Sequence, residues 1–216
     1  MVRRLRVGGR SIFALTLTLV ACMPPHAPVD ESFSFGTTSD GVLVRGASLP
    51  DRGPGFVRAR PGEATRAGTR ELVATLQRAA AHVDAAHPGG APLRIGDLSS
   101  PHGGRHDRHG SHRAGRDADV IFYATDAAGT PTRGRGWLAY DRFGAAREPL
   151  EGGRPGRVFF FDDARNWAFV RALLLDPAAR VQWLFVSSGV KARLLRYASV
   201  HEPEREAVYR AREVLH

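Results

Sequence analysis

The sequence predicts an α+β fold, a small and mainly antiparallel sheet with helices packed around it. Two observations lead there. Strand-like apolar runs and runs with helical spacing follow one another in mixed order along the 216 residues. Short β-type pieces are also set apart by Gly and Pro turns rather than by regular crossover helices. No internal repeat is visible, and with only one cysteine no disulfide framework is available, so the fold must rest on its core.

Residues 36 to 62 combine two β-type pieces, Val42 to Val44 and Phe56 to Arg58, with Gly and Pro turns, and read as an irregular surface wrap. A helix follows, capped by Thr69, with Leu72, Val73, Leu76, Ala79, Ala80 and Val83 at helical spacing. It ends at "HPGG", residues 87 to 90. "PLRIGDLSS" (92 to 100) reads as a strand running into a loop, and "DADVIFYAT" (117 to 125) as one buried strand. Residues 126 to 157 hold seven glycines and three prolines and read as a long loop with room for a short hairpin. A short strand and a helix fit residues 158 to 177, and "VQWLFVSS" (181 to 188) reads as another buried strand. Two more helical segments complete the chain, with His201 opening the second of them.

The N-terminal end reads differently. Arg3, Arg4, Arg6 and Arg10 form a basic stretch before the apolar run "SIFALTLTLVA", the pattern of a secretory signal over residues 1–21. "LVAC" resembles a bacterial lipobox, which implies that Cys22 carries lipid and anchors the protein in the periplasm, with the outer membrane favoured over the inner. Residues 22–35, with three prolines, read as a tether to a domain spanning 36–216. The formal charge of +9 rests almost wholly on arginine, Lys191 being the sole lysine. The arginines form no single stripe, so nucleic acid is not the expected partner. An anionic cell-wall polymer or membrane surface suits the charge better.

From Pro101 to Gly115 the chain carries four histidines and four glycines. His112 and Asp119 stand far enough apart for a turn at Gly115, and Asp117 and Asp119 share one face if the strand begins there. Imidazole nitrogen and carboxylate oxygen both suit Zn2+. A histidine-rich loop is equally compatible with a solvated surface feature or a loose metal-buffering tract.

"GDLSSPHGGRHDRHGSHRAGRDADVIFY" is similar to the pattern of the penicillin-insensitive murein endopeptidases, zinc peptidases related to the D-Ala-D-Ala and lysostaphin types. Gly-Gly-Arg, His-x-Ser-His and Gly-x-Asp-x-Asp carry the likeness, supported by "ASLP", "LRIGDLS" and "LFVSSGVKARLL". The resemblance implies His112 and Asp119 as zinc ligands and His109 as a catalytic histidine beside the metal. Asp117 would orient a ligand or the loop, or alternatively pair with Arg113 or Arg116. Arg105 is offered for a substrate-side contact, whereas His102 and His106 are expected to be exposed. The implied reaction is hydrolysis of peptidoglycan cross-links, typically D-alanyl to meso-diaminopimelate, without a serine nucleophile and so insensitive to β-lactams.

The likeness stops short of the family's C-terminal His-x-His. After Asp119 the only histidines are His201 and His216. A truncated sequence is the expectation on this ground. The alternative is a catalytically inactive envelope lipoprotein that keeps the fold and binds peptidoglycan or metal.

Overall fold

The computed structural model describes residues 31–150 and 156–216. The expected signal peptide, Cys22 and most of the tether lie outside these residues. The strands in chain order are β1 (Phe33–Gly36), β2 (Gly41–Val44), β3 (Ala47–Ser48), β4 (Arg52–Gly53), β5 (Phe56–Arg58), β6 (Ala67–Gly68), β7 (Leu93–Ile95), β8 (Val120–Ile121), β9 (Ala124–Thr125), β10 (Pro131–Thr132), β11 (Ala145–Arg147) and β12 (Val158–Phe161). The helices are α1 (Arg70–Ala86), α2 (Asp163–Leu175), α3 (Ser188–His201) and α4 (Arg205–Val214).

The chain is α+β, but its strands form four small sheets rather than one. Two have four strands, in the orders β10-β9-β12-β11 and β4-β5-β7-β8, and two are the pairs β1-β2 and β3-β6. Every pairing is antiparallel except β5 with β7. That exception follows from connectivity, because α1 lies between these two strands and carries the chain back across. Phe33 to Phe35, which the sequence places at the end of the tether, already lie in a strand paired with β2.

Helix α1 begins where its sequence says, with the Thr69 hydroxyl accepting from the Leu72 amide at 3.2 Å. Val73, Leu76, Ala80 and Val83 are buried on one face and pack with Phe56, Leu93 and Ile95 in one core. A second core gathers Phe159, Phe161, Leu194 and Leu215. Helix α2 serves both: Phe169 and Leu173 enter the first, Trp167, Val170 and Leu174 the second. A helix with apolar residues all round is one that is covered all round.

Two predicted strands come out otherwise. Residues 117 to 125 do not form one strand but split into β8 and β9, which belong to different sheets. The break is held by Asn166 of α2. Its side-chain carbonyl accepts from the Tyr123 amide and its NH2 donates to the Tyr123 carbonyl, both at 2.9 Å. The backbone groups that would have continued a ladder are thereby satisfied elsewhere. Residues 181 to 188 form no buried strand. Leu184 makes a single parallel bridge with Leu215, while Trp183 and Phe185 are 59% and 79% exposed. His201 ends α3 rather than opening the next helix, its ring lying on Tyr197.

Candidate metal centre

The site is built on the edge between β7 and β8. Past β7 the ladder continues without regular strand geometry: Gly96 N–H donates to the Asp119 carbonyl at 2.8 Å, and Asp119 N–H donates to the Asp97 carbonyl at 2.9 Å. Asp119 is therefore fixed by its backbone just before it enters β8. The loop before it turns at Gly115 (φ +69°), where a Cβ would stand 2.8 Å from the Leu43 side chain. Gly103 (φ +73°) lets the loop pass the Arg113 carbonyl, which a Cβ would meet at 2.3 Å.

His112, at the inner side of this loop, is buried at 3% exposure and adopts φ +60°. A left-handed histidine is uncommon and held by its surroundings. Asp117 supplies the hold: its Oδ2 accepts from the His112 amide at 3.0 Å and lies 3.1 Å from Nδ1. On the other edge of the ring, Nε2 lies 3.3 Å from Asp119 Oδ1. Asp117 thus engages His112, and the alternative pairing with Arg113 or Arg116 is not what the geometry gives. Burial alone would lower the His112 pKa, but the hydrogen bonds to Asp117 and Asp119 and their charges outweigh it and raise it to about 10.

His109 completes the group. Its Nε2 lies 3.6 Å from Asp119 Oδ2 and 3.3 Å from Asp97 Oδ2, and its ring is edge-on to His112 at 4.9 Å between centroids. One ligand atom from each of His109, His112 and Asp119 falls within 4.8 Å of the others. Two imidazole nitrogens and one carboxylate oxygen form a donor set that suits a divalent ion such as zinc. With its Nδ1–H on Asp117, His112 offers Nε2, which is the arrangement metal-binding histidines require.

Three neighbours were not foreseen. His106, expected to be exposed, is buried at 4% and packs against both His109 and His112, with centroids 4.9 and 5.5 Å away. Its Nδ1 accepts from the Arg108 amide at 3.2 Å, which puts the ring proton on a buried Nε2 that has no partner. Burial first, then the charges of His109 and His112, hold its pKa below the ordinary value against the pull of Asp97. Asp97, fully buried, accepts from Arg60, Thr65 and Arg108. Burial would raise its carboxyl, yet the bonds from Arg108 and Thr65 and the charges of Arg108 and Arg60 keep it well below the usual carboxylate range. Trp137 is the third. A Cβ on Gly96 would lie 2.9 Å from both the Trp137 ring and Asp119 Cβ, so the indole stands beside the site, 46% exposed. Arg94 pins its loop by donating to the Gly134 and Gly136 carbonyls at 2.8 and 3.1 Å.

The remaining candidates lie apart from the group or at its rim. Arg105 and His102 are exposed. His216 is exposed, ties to Leu184 through its backbone and rests near Phe185.

An α+β domain thus presents two histidines and an aspartate, from a glycine-rich loop and a strand end, as a group that could hold a metal ion. The chain belongs to the penicillin-insensitive murein endopeptidase family, whose model matches residues 34–205. No curated protein matches it. Membership makes it a peptidase-family protein, and the polymer such an endopeptidase acts on is peptidoglycan.

Proposed function

We propose that the protein is a zinc metallopeptidase that hydrolyses peptide cross-links in peptidoglycan, of the D-alanyl-meso-diaminopimelyl type. The convergence of His109, His112 and Asp119 ligand atoms within 4.8 Å, in a member of this family, carries the reading. Bound zinc supplies Lewis-acid polarisation of the scissile carbonyl and an acidified water. The protein's own residues do the rest. His112 and Asp119 are the ligands, Asp117 keeps the proton of His112 on Nδ1, and His109 holds or moves a proton at Nε2 beside them. No serine nucleophile takes part, so β-lactams leave the enzyme unacylated. Cys22, by its lipobox-like setting, anchors the protein by lipid in the periplasm, and Cys22→Ala then moves it from the membrane to the soluble fraction.

The test is digestion of cross-linked sacculi by the zinc-loaded chain. Release of monomeric muropeptides, abolished by a chelator and untouched by penicillin, is the expected result. Zinc bound without any release would sink the catalytic reading.

A second reading has one observation in its favour. If His109 joins His112 and Asp119 as a ligand, the only other histidine among the described residues packed against the group is the buried His106, whose Nδ1 lone pair is spent on the Arg108 amide. The protein would then bind zinc and sediment with sacculi without cutting them.

A further inference from the structure

We propose that Asp97 is the positioning residue of this centre, shaping it before an ion arrives. The inference rests on the reading that His112 and Asp119 hold a metal with His109 beside it. Asp97 reaches two of the three by independent routes. Through its side chain, Oδ2 lies 3.3 Å from His109 Nε2. Through its main chain, its carbonyl accepts from the Asp119 amide at 2.9 Å. It also grips the residue before His109, since Arg108 donates Nε to Oδ2 at 3.0 Å and Nη2 to Oδ1 at 2.9 Å. A shift of Asp97 therefore moves the loop histidine His109 and the strand-end ligand Asp119 together.

Asp97 is not itself a ligand. Oδ1 is occupied by Thr65 at 2.7 Å and by Arg108, and Oδ2 by Arg60 at 2.7 Å, Arg108 and His109. Two guanidinium groups neutralise its charge, whereas Asp119 makes no arginine bond among the described contacts and faces the histidines. Nor is fold stability a sufficient account. Burying the Asp97 carboxylate costs desolvation that offsets its attraction to the partly exposed Arg60 and Arg108, so the pairs bring little net stability. What such a network does provide is a single allowed position for the groups it holds. Arg108 extends the hold to the surface by a second bond to Glu63.

The experiment uses the full chain with Zn2+ and with Co2+. Asp97→Asn should lower zinc affinity about tenfold or more, as loss of an outer partner does in metal sites, and should weaken and shift the visible bands of the cobalt form. Arg108→Ala, at a residue partly open to solvent, should do the same to a smaller degree and supplies the test if Asp97→Asn does not fold. Circular dichroism confirms folding in each case. Folded variants with wild-type zinc affinity and wild-type cobalt spectrum overturn the proposal. A wild-type chain that binds neither ion overturns instead the metal reading on which it rests.

Discussion

Nε2 of His112 stands 3.3 Å from Oδ1 of Asp119, and the turn at Gly115 is what brings them there. The two side chains come from a loop and a strand end, so neither depends on the other for its place. Removing either should therefore abolish tight zinc binding without unfolding the chain. His112→Ala and Asp119→Ala are expected to bring zinc stoichiometry to near zero by elemental analysis. Asp117→Ala should cost about 10- to 100-fold in affinity through the freed Nδ1. His102→Ala, at an exposed position, should change nothing; a loss equal to that of His112→Ala would indicate a buffering tract instead.

The raised pKa of His112 makes both stability and metal binding depend on pH. Its folded value of about 10 lies above the ordinary 6.5. Its stabilising contribution in the metal-free chain is thus complete below about 6.5 and is lost as pH rises toward about 10. Urea unfolding of wild type against His112→Gln across that window should show the gap between them closing with pH. Zinc must displace the Nε2 proton, so affinity should rise about tenfold per pH unit between about 6 and 8 in a competition titration. A flat profile would mean that His112 is already neutral.

Asn166 is expected to matter to the site from a distance. Asn166→Ala leaves the Tyr123 amide without a partner in the interior, at a cost of about 1–3 kcal/mol, while the Tyr123 carbonyl keeps the Asp162 amide at 3.1 Å. Thermal melting should drop accordingly. Hydrogen exchange at the Tyr123 amide should rise before that of α1.

Trp137 tests the substrate side of the proposed function. Trp137→Ala should weaken binding of a cross-linked muropeptide about fivefold or more, in line with the loss of one large aromatic contact. Zinc affinity should stay unchanged, and Trp137→Phe should recover most of the loss. Calorimetry with the purified muropeptide dimer separates these outcomes, and equal binding by the alanine variant would remove Trp137 from the substrate face.

Much of the site was legible in the chain itself. Helix α1 and its Thr69 cap follow from local pattern, and the His112, Gly115 and Asp119 spacing foretold the loop-to-strand approach that the structure contains. What escaped depends on partners distant in sequence. Residues 117 to 125 look like one strand because nothing local shows that Asn166 will seize Tyr123. His106 looks like another loop histidine, since its burial is imposed by His109 and His112 folding over it. Residues 181 to 186 are mostly apolar, yet Val181, Leu184 and Val186 turn toward the cores while Trp183 and Phe185 face out. Asp97 reads as a strand-end carboxylate until Arg60, Thr65 and Arg108 converge on it.

Helix α2 carries a consequence for how the molecule comes apart. Its opposite sides seal two different interiors, one around α1 and β7, the other around α3 and α4. Neither interior has a lid of its own, so neither can melt while the other stays dry. Loosening the C-terminal helices bares Trp167, Val170 and Leu174, and α2, uncovered on that side, then no longer holds Phe169 and Leu173 against the interior around β7. The hold on the His109, His112 and Asp119 group is in this sense a property of the whole described domain, and heat should dismantle it in one transition with every other part.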